Sequence, residues 1–193
     1  ESEMNNIKIG FAMCGSFCTF DKAIEQMSLL KAKGAEVTPI MSQTAYTTDT
    51  RFGKADDINT RIESICKKSI IHTVEDAEPI GPQKMFDILL VEPCTGNTLA
   101  KLACGITDTA VTMACKSHIR NARPVLLAVS TNDALAGAAE NIGKLLNKRN
   151  LFFVPFGQDD PENKPTSMVA DFRKLPQALE LALIGKQIQP ILL

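Results

Sequence analysis

The run Pro93-Cys94-Thr95-Gly96-Asn97-Thr98-Leu99-Ala100-Lys101 places hydroxyls and an amide in the turn between an apolar run, Asp87 to Val91, and a stretch rich in Ala, Leu and Lys. The apolar run is short and bounded, as a buried strand is, and Leu99 to Thr107 reads as a helix. Open α/β sheets bind ligands at such turns, outside the carboxyl ends of their strands. The first N–H groups of the following helix lack partners there and suit an anion or a polar ring edge. A purely structural role is the alternative, with Thr95 and Asn97 capping the helix. Companion turns follow three other apolar runs: Gly15-Ser16 after Ile7 to Met13, Ser42 after Glu36 to Met41, and Ser130-Thr131-Asn132-Asp133 after Val125 to Val129.

Other residue types narrow the chemistry. Gly10-x4-Gly15 imitates the start of a P-loop, but Ser16-Phe17 stands where Lys-Ser/Thr is required, and no G-x-G-x-x-G occurs. A P-loop NTPase and an ordinary NAD-binding domain are thereby excluded, and a mononucleotide phosphate is not. Cys14 and Cys18 form a C-x3-C pair without further ligands nearby, so no metal is expected, and the six cysteines read as reduced thiols, Cys14 and Cys18 as packing residues. No catalytic residue is assigned: His72, His118, Glu78, Asp133 and Asp159 all stand open as acid or base.

These residues need a frame to converge. Ile7–Met13, a helix from Phe20 to Lys33, Gly34 as its C-cap and a strand Glu36–Met41 make a βαβ unit, so the sheet is parallel. Ser42 to Asp57 is a long polar stretch, Ile58 to Lys68 a helix, Ile70 to Val74 a short strand and Glu75 to Lys84 a loop. A helical segment spans Thr107 to Asn121. Asn132 or Asp133 caps a helix running to Leu146, and Leu151 to Pro155 is the last core strand. Phe156 to Ser167 reads as an ordered lid, and Lys174 to Leu183 as a terminal helix. Residues 4–193 form one domain, with Glu1-Ser2-Glu3 an appended remnant.

The composition is that of an ordinary globular chain: 193 residues, 45% hydrophobic, 22% charged, formal net charge −1. That balance gives no basic field for nucleic acid or membrane. Without a run of some 18 apolar residues or a signal-peptide pattern, the expected location is the cytoplasm.

Pro93-x-Thr95-Gly96-Asn97-Thr98-Leu99-Ala100-Lys101-x-Ala103-x-Gly105-Ile106-x-Asp108 resembles the P-A-S/T-A-N motif, and the helix after it, of the flavin-binding cysteine decarboxylase group of flavoproteins. Gly15-Ser16 after the first strand is similar to that group's phosphate loop. Further runs agree with one branch of it: Gly15-Ser16-Phe17-Cys18-Thr19, Thr50-Arg51-Phe52-Gly53, Leu127 to Leu135 and Pro155-Phe156-Gly157-Gln158-Asp159. The resemblance implies a three-layer flavodoxin-like (Rossmann-like) parallel sheet with helices on both faces, an FMN-type site and a homo-oligomer. Carried over, Gly15, Ser16 and Ser42 take the phosphate, Thr95, Asn97 and Thr98 line the flavin or substrate side, and Ser130 and Asn132 complete the pocket.

For that branch it implies an oxidoreductase subunit acting with a separate A subunit, which is expected to carry NAD(P). Its substrate is a small dihydropyridine dicarboxylate, oxidised to the aromatic dicarboxylate. Arg51 and Lys164, with Arg120 and Arg123, are the cations available to the carboxylates. The decarboxylases place a catalytic His where Glu78 and Pro79 stand, and of their substrate motif only Asn132 is kept. A stand-alone FMN decarboxylase or prenyltransferase, or a non-catalytic partner subunit, is the alternative function.

Overall fold

The computed structural model describes residues 3–193; Glu1 and Ser2, which belong to the expected remnant, lie outside the described residues. Strands β1 (Lys8–Met13), β2 (Glu36–Met41), β3 (Ile88–Cys94), β4 (Val125–Thr131) and β5 (Leu151–Phe153) pair in parallel in the order β2-β1-β3-β4-β5. Every residue of β3 is buried, as the central strand of a sheet covered on both faces must be. Helix α1 (Phe20–Ala32) turns Ala23, Ile24, Met27 and Leu30 inward at helical spacing. Gly34 then ends it at φ +92°, with Asn5 packed where a Cβ would stand.

From β1 the chain crosses through α1 to β2 on one side. From β3 it crosses through α5 (Gly96–Cys104) and α6 (Ala110–Ile119) to β4 on the other. Right-handed crossovers in opposite directions put their helices on opposite faces, which gives three layers. α7 (Ala139–Leu146) joins β4 to β5, and α8 (Leu175–Leu183) packs on β3 and β4.

Several elements depart from the local reading. The Ser42–Asp57 stretch is ordered, because its polar residues cap helices: Ser42 Oγ accepts from Ala45 N at the start of α2 (Gln43–Thr47). Asp49 Oδ1 accepts from Ala55 N, 2.8 Å away, at the start of α3 (Ala55–Cys66). Ile70–Val74 is no strand: Ile71 makes a single bridge to Ile40, and Thr73 caps the short helix α4 (Val74–Ala77). Glu75–Lys84 is no free loop either. After α4 a 3₁₀ turn, Glu78–Ile80, is tied to α6 by Ser117 Oγ, which donates to Glu78 O and accepts from Gly81 N, both at 2.7 Å.

Neither Asn132 nor Asp133 caps α7: turns occupy the chain up to Ala138, and Asp133 O accepts from the N–H groups of Ala136 and Ala138. Nor is the sheet wholly parallel. β4 outruns β5, whose pairing ends at Leu127↔Phe153, and this leaves Ser130 and Thr131 an open edge. The returning chain fills it with β7 (Met168–Ala170), antiparallel to β4, and β6 (Phe156–Gly157) pairs with β7. Leu151–Pro155, expected as the last core strand, is thus a buried strand over Leu151–Phe153 only, and two short strands follow it. Arg123 is a structural cation, its guanidinium donating to the carbonyls of Lys84 and Phe86.

Candidate functional site at the carboxyl ends of the strands

Parallel pairing brings the ends of β1, β2, β3 and β4 to one edge of the sheet, and the turns that follow them meet. Cys14 N donates to Pro93 O (3.2 Å) and Ser42 N to Met13 O (3.1 Å), which extends the ladder one step past β1 on each side. The hydroxyls of Ser16 and Ser130 lie 3.0 Å apart although 114 residues separate them. Ser16 makes no side-chain cap to the 3₁₀ turn Phe17–Thr19, so its hydroxyl faces this cluster while its carbonyl holds Thr19 Oγ1 at 2.8 Å. Gly15 is closely covered by Thr44, whose methyl would stand 3.2 Å from a Cβ there.

After β3, Thr95 caps α5 by accepting from Thr98 N (3.3 Å), and its hydroxyl donates to Thr98 Oγ1. Thr98 Oγ1 in turn donates to Cys14 Sγ at 3.0 Å, which locks the β1 and β3 turns together. Thr98 is therefore turned inward, and Thr95 does what the structural alternative assigns it. Asn97 differs: it is exposed at the first turn of α5, and no hydrogen bond engages its amide among the described residues. At Gly96 an added Cβ would stand 2.7 Å from Thr131 Oγ1 and 2.8 Å from Asp133 Oδ1, so both side chains close over this position. Asp133 thus sets a carboxylate at the start of α5.

The remaining residues named from sequence scatter around this cluster. Ser42 is engaged as the cap of α2. Asn132 anchors the 159–167 segment, its carbonyl accepting from Thr166 Oγ1 (2.6 Å); buried Ser167 donates to Asp159 Oδ1 (2.6 Å). Lys164 sits on the same segment, its ammonium 3.9 Å from Asp159. Arg51 is exposed in the tight Thr50–Gly53 turn, its guanidinium 4.8 Å from the centre of the Phe52 ring. No hydrogen bond joins Arg51 or Lys164 to the Ser16–Ser130 pair among the described residues. Three surface cavities, of about 370, 570 and 260 Å³, include none of the strand-end residues; Glu78 and Arg120 line the first and Arg120 also the third.

Of the open acids and bases, His118 is buried with Nε2 3.0 Å from Pro124 O, and burial lowers its pKa to about 4. His72 stacks on Tyr46, ring centres 3.8 Å apart. Burial raises the Cys14 thiol to about 11 and pushes Cys94 and Cys115 up as well, so these thiols are packing groups at neutral pH. No group of three or more His, Cys, Asp or Glu able to hold a metal occurs among the described residues. No helix among them is long and apolar enough to cross a membrane.

Glu92 is not among the residues that the sequence singles out. It lies on β3 just before Pro93, fully buried, with neither carboxylate oxygen hydrogen-bonded. Burial drives its pKa well above the usual carboxyl value. Here the ladder slips: Val91 faces Leu127 and Cys94 faces Val129, so β3 carries one more residue than β4. A carboxylate between Val91 and Pro93 breaks an apolar run, and that break is its signal.

Comparison with known proteins adds to this geometry. The chain is 44% identical over 191 residues to the B subunit of dipicolinate synthase from Bacillus subtilis (strain 168), covering 99% of this chain and 96% of that protein. The crystal structure of the corresponding dipicolinate synthase chain, the B subunit from Bacillus halodurans, superposes with a TM-score of 0.91 at 40% identity, covering 99% of this chain and 98% of that one. A dodecameric FMN-dependent UbiX-like decarboxylase from Escherichia coli O157:H7 shares the fold at 22% identity and a TM-score of 0.64, covering 77% of this chain and 80% of its own. The Flavoprotein family model matches residues 1–173. On that match, and on a fold whose strand-end turns converge, the chain belongs to the Flavoprotein family.

Proposed function

We propose that this chain is the B subunit of a dipicolinate synthase, which acts with a separate A subunit to oxidise a dihydrodipicolinate-level intermediate to pyridine-2,6-dicarboxylate in sporulation. The observation that carries the reading is the 44% identity to the Bacillus subtilis protein across 99% of this chain. The reaction removes two electrons and two protons from a ring that becomes aromatic.

The residues at the strand ends fit FMN, and their charges favour one direction for it. Asp133 sets a negative charge beside Gly96 at the start of α5, which repels a phosphate there. The neutral hydroxyls of Ser16 and Ser130, with Gly15 next to them, suit the phosphate end. The free amide of Asn97 and the turn at Thr95 suit the polar edge of the ring. When bound, FMN would supply the two-electron chemistry. Thr98, Ser42 and Asn132 act behind this surface, holding the turns through Cys14, α2 and the 159–167 segment. Arg51 and Lys164, exposed on neighbouring loops, are the cations offered to the two substrate carboxylates. NAD(P) belongs on the A subunit, because this chain carries no G-x-G-x-x-G. Assembly into a homo-oligomer and a cytoplasmic location complete the proposal.

Mixing the purified chain with its A subunit and the lysine-pathway precursor tests the function. Dipicolinate must form with both chains and not with either alone. Synthesis by the A subunit alone, or none with both, refutes it. A visible spectrum before and after adding FMN tests the cofactor. Ser16→Ala and Asn97→Ala should each weaken FMN by several-fold, as the loss of one hydrogen bond does.

A further inference from the structure

A second surface of the protein has the chemistry of a binding site. The turn between α5 and α6, the outer face of α6 and the start of β5 enclose a slot of about 260 Å³. Its floor is apolar, formed by Leu102, Ile106, Ile119 and Leu151. Its charged lining residues are Lys116, Arg120 and Lys148, and no carboxylate lines it. None of these three cations forms an ion pair among the described residues. Lys116 and Arg120 also line the adjoining cavity of about 370 Å³, there together with Glu78, and Lys148 shares the one of about 570 Å³ with Arg149. In a chain of formal net charge −1 this is a marked local excess of positive charge.

The helix dipole accounts for part of it, since cations near the carboxyl end of α6 face its carbonyls. Lys148 comes from beyond α7 and is held over the slot by donating to Leu102 O, one of the last carbonyls of α5, at 2.9 Å; a helix end does not explain why it joins the α6 cations at one slot. Nor does it explain why an apolar floor stays open beneath three cations, with Ile106 still 45% exposed. Lys116 and Arg120, four residues apart on one face of a helix, repel each other until an anion lies between them.

We propose that this slot is a second ligand site, separate from the strand-end turns, for a compact aromatic ring bearing two carboxylates. The floor would take the ring face, and the cations at the rim the two carboxylates. A small inorganic anion gains nothing from the floor, and an aromatic monocarboxylate engages only part of the rim. The choice of an aromatic dicarboxylate rests on the function proposed above, which makes one; the floor and the unpaired cations do not rest on it. The site would let the protein sense its own product.

The full chain, isotope-labelled and free of divalent cations, is titrated with pyridine-2,6-dicarboxylate and benzene-1,3-dicarboxylate while backbone amides are followed by NMR. Benzoate and inorganic phosphate are the controls. Both dicarboxylates should saturate shifts at Ile106, Thr107 and Ile119, benzoate should bind about tenfold more weakly, and phosphate should move nothing there. The double variant Lys116→Gln/Arg120→Gln, on exposed positions, should weaken the dicarboxylates at least tenfold with the rest of the spectrum unchanged. Shifts confined to Ser16, Asn97 and Ser130, equal binding of phosphate, or unaltered affinity in the double variant each overturn the proposal. So do shifts at these amides that no dicarboxylate produces and the added A subunit does, which mark a protein-docking surface. A saturable slot in a chain that makes no dipicolinate with its partner removes the proposed function and keeps the site; synthesis with a silent slot does the reverse.

Discussion

Glu92 makes a prediction whose sign and size follow from its burial. Its side chain is fully enclosed, both carboxylate oxygens are without partners, and desolvation alone accounts for its raised pKa. The folded protein therefore keeps the proton to a higher pH than the unfolded chain, whose carboxyl titrates near the ordinary 4.5. As pH rises past that value the unfolded state releases its proton first and is favoured. The stability contributed by the neutral carboxyl is fully present below the unfolded pKa and is lost towards the folded one. The slope is about 1.4 kcal/mol per pH unit, levelling off once the folded group ionises.

Glu92→Gln keeps the shape and the unpartnered polarity but cannot titrate. It should match the parent below pH 4.5 and become the more stable of the two as pH rises above that value, by a margin that grows by up to about 1.4 kcal/mol per pH unit. Glu92→Leu also removes the buried polar atoms and should add about 1–3 kcal/mol even at low pH. For a chain of this size each kcal/mol moves the thermal midpoint by about 2–4 °C. Urea titrations followed by far-UV circular dichroism, repeated across this pH range, measure both effects. A constant difference between parent and Glu92→Gln at all pH values would mean that the carboxyl is hydrated or paired, and would falsify the reasoning.

Other perturbations follow from the same packing. His118, pushed down to about 4 by burial, must gain a proton on unfolding, so its contribution is present above pH 6.5 and lost as pH falls towards 4; His118→Asn should flatten that acid limb in the same urea series. Gly81 has an ordinary φ, but a Cβ there would stand 2.2 Å from Ser117 O, so Gly81→Ala should cost about 1–3 kcal/mol through crowding of the clamp on α6. An unshifted urea midpoint in that variant would show the clamp to be loose. Thr95→Ala should lower stability by about 1 kcal/mol through loss of the α5 cap, and Thr95→Ser should restore it in a thermal melt.

The sequence by itself determined the frame. Apolar runs at β1, β2, β3 and β4, joined by stretches with helical spacing, specify a parallel sheet. Because parallel strands share one direction, the turns at Gly15-Ser16, Ser42, Thr95–Thr98 and Ser130–Asn132 had to open on the same edge. Period and strand polarity are local properties of the chain, and they were legible for that reason. Tertiary structure decided which of these residues touch. Nothing in the chain says that Ser16 meets Ser130, that Thr98 turns away to hold Cys14, or that Asp133 reaches Gly96, because each contact joins segments whose separation the sheet order alone closes. The antiparallel β6 and β7 exist because β5 stops short and leaves an edge of β4 unpaired, a fact about neighbours rather than propensity. Ile70–Val74 has strand-like residues but only one position beside β2 at which to bridge. Glu92 is the converse case: a carboxylate that local pattern would place in solvent is held in the core because both neighbouring strands continue past it.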